Sequence, residues 1–139
     1  MTLHVIAVYH NTESWFLPYQ SGHALTQVIS HWRHLPSTAT PEEIATWTYD
    51  LFNVDLDHLE TNRARPNGEI DFLTACTYRL LGLRSLSTGD VIAVTANGHT
   101  TWLACELIGW ERITTPTTLT GTPLTAETVY QHLRRHHAA

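Results

Sequence analysis

The chain has 139 residues, 42% of them apolar and 15% charged, with a formal net charge of −5, which fits one globular domain spanning residues 1–139. Its eight cations are all Arg, against thirteen acids and a sequence pI near 6.0, which excludes a protein that wraps nucleic acid by neutralising many phosphates. No window is apolar enough for a membrane helix and Met1-Thr2-Leu3-His4 does not open a signal peptide, so no membrane partner is expected and a cytoplasmic location is.

Leu3 to Tyr9 is a β-branched and aromatic run that predicts a buried, central strand. Asn11 to Gly22 carries Trp15, Phe16, Pro18 and Tyr19 without a period and reads as an aromatic loop; Leu25 to Leu35 resumes a strand pattern that Pro36 ends. Thr40-Pro41-Glu42-Glu43 has the form of a capping box, with a hydroxyl at the cap, proline at the first helical position and glutamate three residues after the cap. Ile44, Trp47, Leu51 and Phe52 then mark the core face of a helix from Pro41 to Phe52 that Asn53 stops. Asp55 to Gly68 is polar, ends in Arg65-Pro66-Asn67-Gly68, and is expected as a mobile loop.

Ile70, Leu73, Thr74, Thr77, Leu80 and Leu81 predict the buried stripe of a second helix over Glu69 to Leu81, closed by Gly82. Gly89-Asp90 opens the strand Val91-Ile92-Ala93-Val94, and Asn97-Gly98 offers the two left-handed positions of a type I′ turn. The return strand is expected over Thr100 to Leu107, with Val94 opposite Thr101 and Ile92 opposite Leu103 on one face, and Ala93 opposite Trp102 and Val91 opposite Ala104 on the other. Both faces are apolar, so cover is expected on both sides. Gly109 permits a bend before the short strand Trp110-Glu111-Arg112-Ile113. Residues 114–124 read as a Thr/Pro-rich extended loop, and 125–137 as a C-terminal helix capped by Thr125. The elements together predict an α+β fold: a small mixed or antiparallel sheet, open or barrel-like, with two or three helices.

The chemistry-bearing residues form no familiar catalytic set: the chain has no phosphate loop, GxGxxG, HExxH or GxSxG motif, so no catalytic or cofactor-binding residues are assigned. Cys76 and Cys105 lack metal-ligand spacing and read as buried free thiols. His31 and His34 fall on a strand, which sends them to opposite faces, and His132 and His136 lie at the chain end; no metal site is predicted. Ser87 and Asp90 read as side chains bonding the backbone of the turn into a strand. Glu106 is expected in an apolar strand, as a carboxylate needing a partner such as Arg84 or Arg112.

The helix ending Tyr49-Asp50-Leu51-Phe52-Asn53, the turn Ser85-Leu86-Ser87-Thr88-Gly89-Asp90-Val91, the strand pair and the closing Ile108-Gly109-Trp110 together resemble the YodL-like domains over about Tyr49 to Ile113. The stretch between Asn53 and Arg84 is longer than in the usual pattern. Such domains occur in proteins of phages, plasmids and conjugative elements, often fused to anti-restriction or DNA-processing domains. The resemblance therefore implies a non-catalytic binding module of a mobile element, contacting a host protein or nucleic acid, with counter-defence as one role. The Leu-Ser-x-Gly-Asp turn is also similar to turns of PUA-like barrels, which implies an RNA- or DNA-binding domain as the alternative. Trp15, Phe16 and Tyr19 of the aromatic loop are the candidate protein contacts, and Arg79, Arg84 and Arg112 beside the sheet the candidate phosphate contacts.

Overall fold

The computed structural model describes residues 1–121. Strands β1 (Thr2–Asn11) and β2 (Leu25–Leu35) precede helices α1 (Pro41–Asn53), α2 (Leu56–Thr61) and α3 (Gly68–Leu80); β3 (Val91–Ala96), β4 (His99–Cys105), β5 (Trp110–Ile113) and β6 (Leu119–Thr120) follow. The strands form one curled, half-barrel sheet in the order β5-β4-β3-β1-β2-β6. Every pairing is antiparallel except that of β6 with β2, which makes the sheet mixed and the fold α+β.

β1 is central because it pairs with β3 on one side and β2 on the other. Its even-numbered side chains face the helices and its odd-numbered ones the opposite face, where Leu3 and Val5 are exposed and so depart from the expected buried strand. Ile6 and Val8 are fully buried among α1 and α3 residues, while Tyr9 joins the second cluster with Leu25, Val91, Ala93 and Ala104. The hairpin of β3 and β4 has the predicted register, with Ile92 opposite Leu103 and Ala93 opposite Trp102. It is covered on both sides by different means. Helices cover Ile92, Val94 and Leu103, whereas sheet curl and the half-buried Tyr19 of the β1–β2 loop cover Val91, Ala93 and Ala104.

α1 starts where the sequence places it: the Thr40 hydroxyl accepts from the Glu43 amide, and Ile44, Leu51 and Phe52 are buried, with Trp47 packed against them. Phe52 stacks on Tyr78 of α3 at a centroid distance of 4.2 Å, which fixes how α3 is rotated. That rotation corrects the predicted stripe. Ala75 and Tyr78 enter the core with Thr74 and Thr77, while Ile70 and Leu80 are solvent-exposed. The mobile loop expected over Asp55 to Gly68 is also corrected, because it contains α2. Asp55 caps this helix by accepting from the Asp57 amide, and Leu56 and Leu59, one turn apart, pack on the core.

At the other end of the chain, β4 stops at Cys105, so Glu106 belongs to the turn into β5 and not to a strand. Residues 114–121 are likewise not wholly loop, since Leu119 and Thr120 pair with Leu25 and Thr26. Gly121 lets that edge close, because a Cβ there would meet the Gln27 carbonyl at 2.7 Å. The predicted helix over 125–137 lies outside the described residues. Among the described residues no helix is long and apolar enough to cross a membrane.

Candidate functional site

Strand direction gathers three connections at one end of the sheet. β1 ends there at Asn11, β3 begins there at Val91, and β4 ends there at Cys105. The β1–β2 loop, the Leu81–Asp90 segment and the β4–β5 turn therefore lie together.

Their common base is a hydrogen-bonded knot. The Asp90 carboxylate, 2% exposed, takes a bidentate pair of bonds from the Arg84 guanidinium at 2.7 and 2.8 Å. It also accepts from the backbone amides of Ser87 and Asn11, both at 2.8 Å. Asn11 then folds the loop above it: its side-chain carbonyl accepts from the amides of Glu13 and Ser14, and its amide nitrogen donates to the Gly89 carbonyl. Gly89, at φ +95°, carries the loop directly, because a Cβ would come within 2.4 Å of Ser14 Oγ and 2.5 Å of the Leu17 carbonyl.

A second, smaller network lies beneath. The Tyr78 hydroxyl donates to the Arg84 carbonyl, which commits its proton, so His10 donates to the phenol oxygen from Nε2 at 2.7 Å. Burial and then the Arg84 charge lower the His10 pKa to about 4, so the ring is neutral at pH 7. Burial, with the negative charges of Asp90 and Glu106, pushes the nearby Cys105 thiol up to about 11. These groups hold the base together.

On this base the loop displays three consecutive large apolar side chains. Trp15, Phe16 and Leu17 are 84%, 62% and 65% exposed. Trp15 and Phe16 also adopt left-handed backbone, at φ 51° and 66°. That conformation costs a bulky residue roughly 1–3 kcal/mol. The Arg84 guanidinium lies 5.8 Å from the Phe16 ring centre, and a recess of about 160 Å³ opens between Arg84, Phe16, Trp15 and Ser14. Comparison of the chain with family models, with curated proteins and with solved structures finds no match. Function must therefore be read from the side chains themselves.

Of the predicted residues, Trp15, Phe16 and Arg84 meet at this site. Tyr19 is instead the loop's root, packed on the second core cluster and edge-on to His23 at 5.8 Å. Arg79 and Arg112 lie elsewhere. Arg79 donates to the Val54 carbonyl just past the end of α1, and Arg112 makes a bidentate pair with Glu42, joining β5 to the first turn of α1. Arg84 and Arg112 are thus not partners of Glu106, whose pKa is raised by the neighbouring Glu111 carboxyl. Sequence reasoning missed Asn11 and the Arg84–Asp90 pair. Asn11, at the end of a strand and ahead of Glu13 and Ser14, was the signal for an Asx turn.

A cavity of about 610 Å³ lies between α1, α2 and the start of α3. Part of its polar lining is bonded within the protein: Asp71 to Arg33, Asn62 to His58, and Asn53 to the Leu86 backbone. Among the described residues no three His, Cys, Asp or Glu side chains converge as metal ligands.

Proposed function

We propose that this protein is a non-catalytic binding module that docks on a partner protein through the Trp15–Leu17 tip. One observation carries the reading: two adjacent aromatic residues hold an unfavourable left-handed backbone while facing water, on a base whose own hydrogen bonds are satisfied. Neither core packing nor local conformational preference accounts for aromatics there, whereas large, rigid side chains held away from solvent only by a partner are typical binding anchors. The resemblance to YodL-like domains extends the reading to a phage, plasmid or conjugative element, with a host protein as partner and counter-defence as the role.

Charge favours protein over nucleic acid. Of the six arginines among the described residues, Arg33, Arg63, Arg84 and Arg112 are each paired with a carboxylate. A PUA-like reading of RNA or DNA rests on Arg84 beside Phe16, a cation and an aromatic face at one recess. Both terminal nitrogens of that guanidinium already face Asp90.

The test is the double variant Trp15→Ala/Phe16→Ala. It is expected to melt within about 2 °C of the parent, because exposed side chains contribute little to stability, and to lose the partners that the parent captures from cells. A drop of several degrees with unchanged partners would refute the reading. A salt-dependent gel shift with single- or double-stranded DNA or RNA at about 50 mM salt would favour the nucleic-acid alternative.

A further inference from the structure

A second apolar tip stands at the same end of the sheet. The β4–β5 turn is closed by the Glu106 amide donating to the Gly109 carbonyl, and it leaves Leu107 78% and Ile108 95% exposed. A single seam separates the two tips. Gly89 carries Ser14 and Leu17 on one side and donates its amide to the Cys105 carbonyl at 2.9 Å on the other, while the Thr88 hydroxyl reaches the Glu106 carbonyl. The two loops thus share one rigid base, and neither tip covers the other.

We propose that Trp15, Phe16 and Leu17 act with Leu107 and Ile108 as one docking platform, and that its occupant is a protein surface with an apolar recess edged by Lys or Arg side chains. This rests on the reading of the Trp15–Leu17 tip as a binding site and adds to it the second tip and the chemistry of the partner.

Charge selects the occupant. Glu13 borders the first tip, and Glu106 and Glu111 border the second; among the described residues no Arg is paired with any of the three. Glu106 and Glu111 flank the β4–β5 turn, with no Arg between them among the described residues, and the neighbouring Glu111 carboxyl raises the Glu106 pKa. A basic side chain on the partner would relieve that juxtaposition as the apolar groups are buried. The same carboxylates oppose the other occupants. An anionic bilayer or a phosphate backbone would be repelled, and a second copy of this end would bring acid against acid.

The experiment places a photo-reactive phenylalanine analogue at Phe16, at Ile108 or, at the far end of the sheet, at Asn97 of the full chain expressed in cells. The expected result is one and the same protein cross-linked from Phe16 and Ile108 and none from Asn97. With that partner purified, Leu107→Ser/Ile108→Ser should weaken binding at least about tenfold, and Glu106→Lys/Glu111→Lys by a similar factor, with melting within about 2 °C of the parent in both. Cross-linking from Phe16 alone, with Leu107→Ser/Ile108→Ser binding normally, overturns the platform and leaves the single-tip reading standing. If Trp15→Ala/Phe16→Ala also binds normally, both fall. Adducts to lipid or nucleic acid, sedimentation with phosphatidylglycerol vesicles, or indifference to Glu106→Lys/Glu111→Lys overturns the stated partner.

Discussion

The two ends of the sheet meet the same backbone requirement with different residues. At the far end the β3–β4 hairpin needs two left-handed positions, and Asn97 and Gly98 supply them at φ 52° and 75°, both exposed. These residue types tolerate that conformation, so the turn is explained by folding alone. At the near end left-handed positions fall on Trp15 and Phe16, residue types that tolerate it poorly. The first end shows what local stability selects. The second departs from it, and its elaborate base of Asn11, Asp90, Arg84 and Gly89 shows what holding the departure requires.

The largest expected effect that sharpens this contrast is Asp90→Ala. It strands the Arg84 guanidinium and the amides of Asn11 and Ser87, and should cost about 3–5 kcal/mol in denaturant unfolding. At the far end, His99→Ala should change stability by less than about 0.5 kcal/mol, since the side chain is exposed. Gly89→Ala comes next. Its Cβ would collide with Ser14 Oγ and the Leu17 carbonyl at a left-handed φ, so a loss of about 2–3 kcal/mol and release of the loop in hydrogen exchange are expected. An unchanged exchange rate in residues 12–17 would mean the loop does not depend on its base.

Acid should weaken the near end and the body of the sheet together. The pKa of His10 is lowered to about 4 and that of His31, fully buried between Trp47 and Phe52 with both ring nitrogens unbonded, to about 3. The unfolded chain takes up these protons near pH 6.5, before the folded chain does. Stability is therefore full above about pH 6.5 and falls as pH drops toward the folded values, by up to about 1.4 kcal/mol per pH unit for each histidine. In His31→Leu the fall between pH 6 and 4 should be visibly shallower; an identical profile would exclude His31 as a source. The smallest effects return to the turns themselves. Trp15→Gly should raise stability by about 1 kcal/mol, and Asn97→Ala should lower it by a similar amount. Equal signs at the two ends would remove the contrast between them.

What could be read from the chain divides along the range of the interactions. The cap of α1 is formed by residues three apart, Thr40 and Glu43, and the hairpin register follows from a two-residue turn, so both are written in adjacent residues. Helix α2 was legible too, in the Asp55 cap and the Leu56/Leu59 pair, but the polar run around it outweighed them. The rotation of α3 was not legible, because it depends on Tyr78 meeting Phe52 of another helix. At the site, the aromatic residues of the loop stood out by composition, whereas the second tip did not, because Leu107 reads as the end of a strand until the turn is seen.

By itself the sequence determined the α+β class, the position of β1, β2, α1 and the β3–β4 hairpin, and the presence of an aromatic loop, since period, caps and turn residues act over a few positions. Only the tertiary structure decided which arginines are already engaged and which apolar residues reach water. Asn11 and Asp90, seventy-nine positions apart, meet only because β1 and β3 pair antiparallel, and that pairing also brings Trp15 and Ile108 to the same end of the sheet.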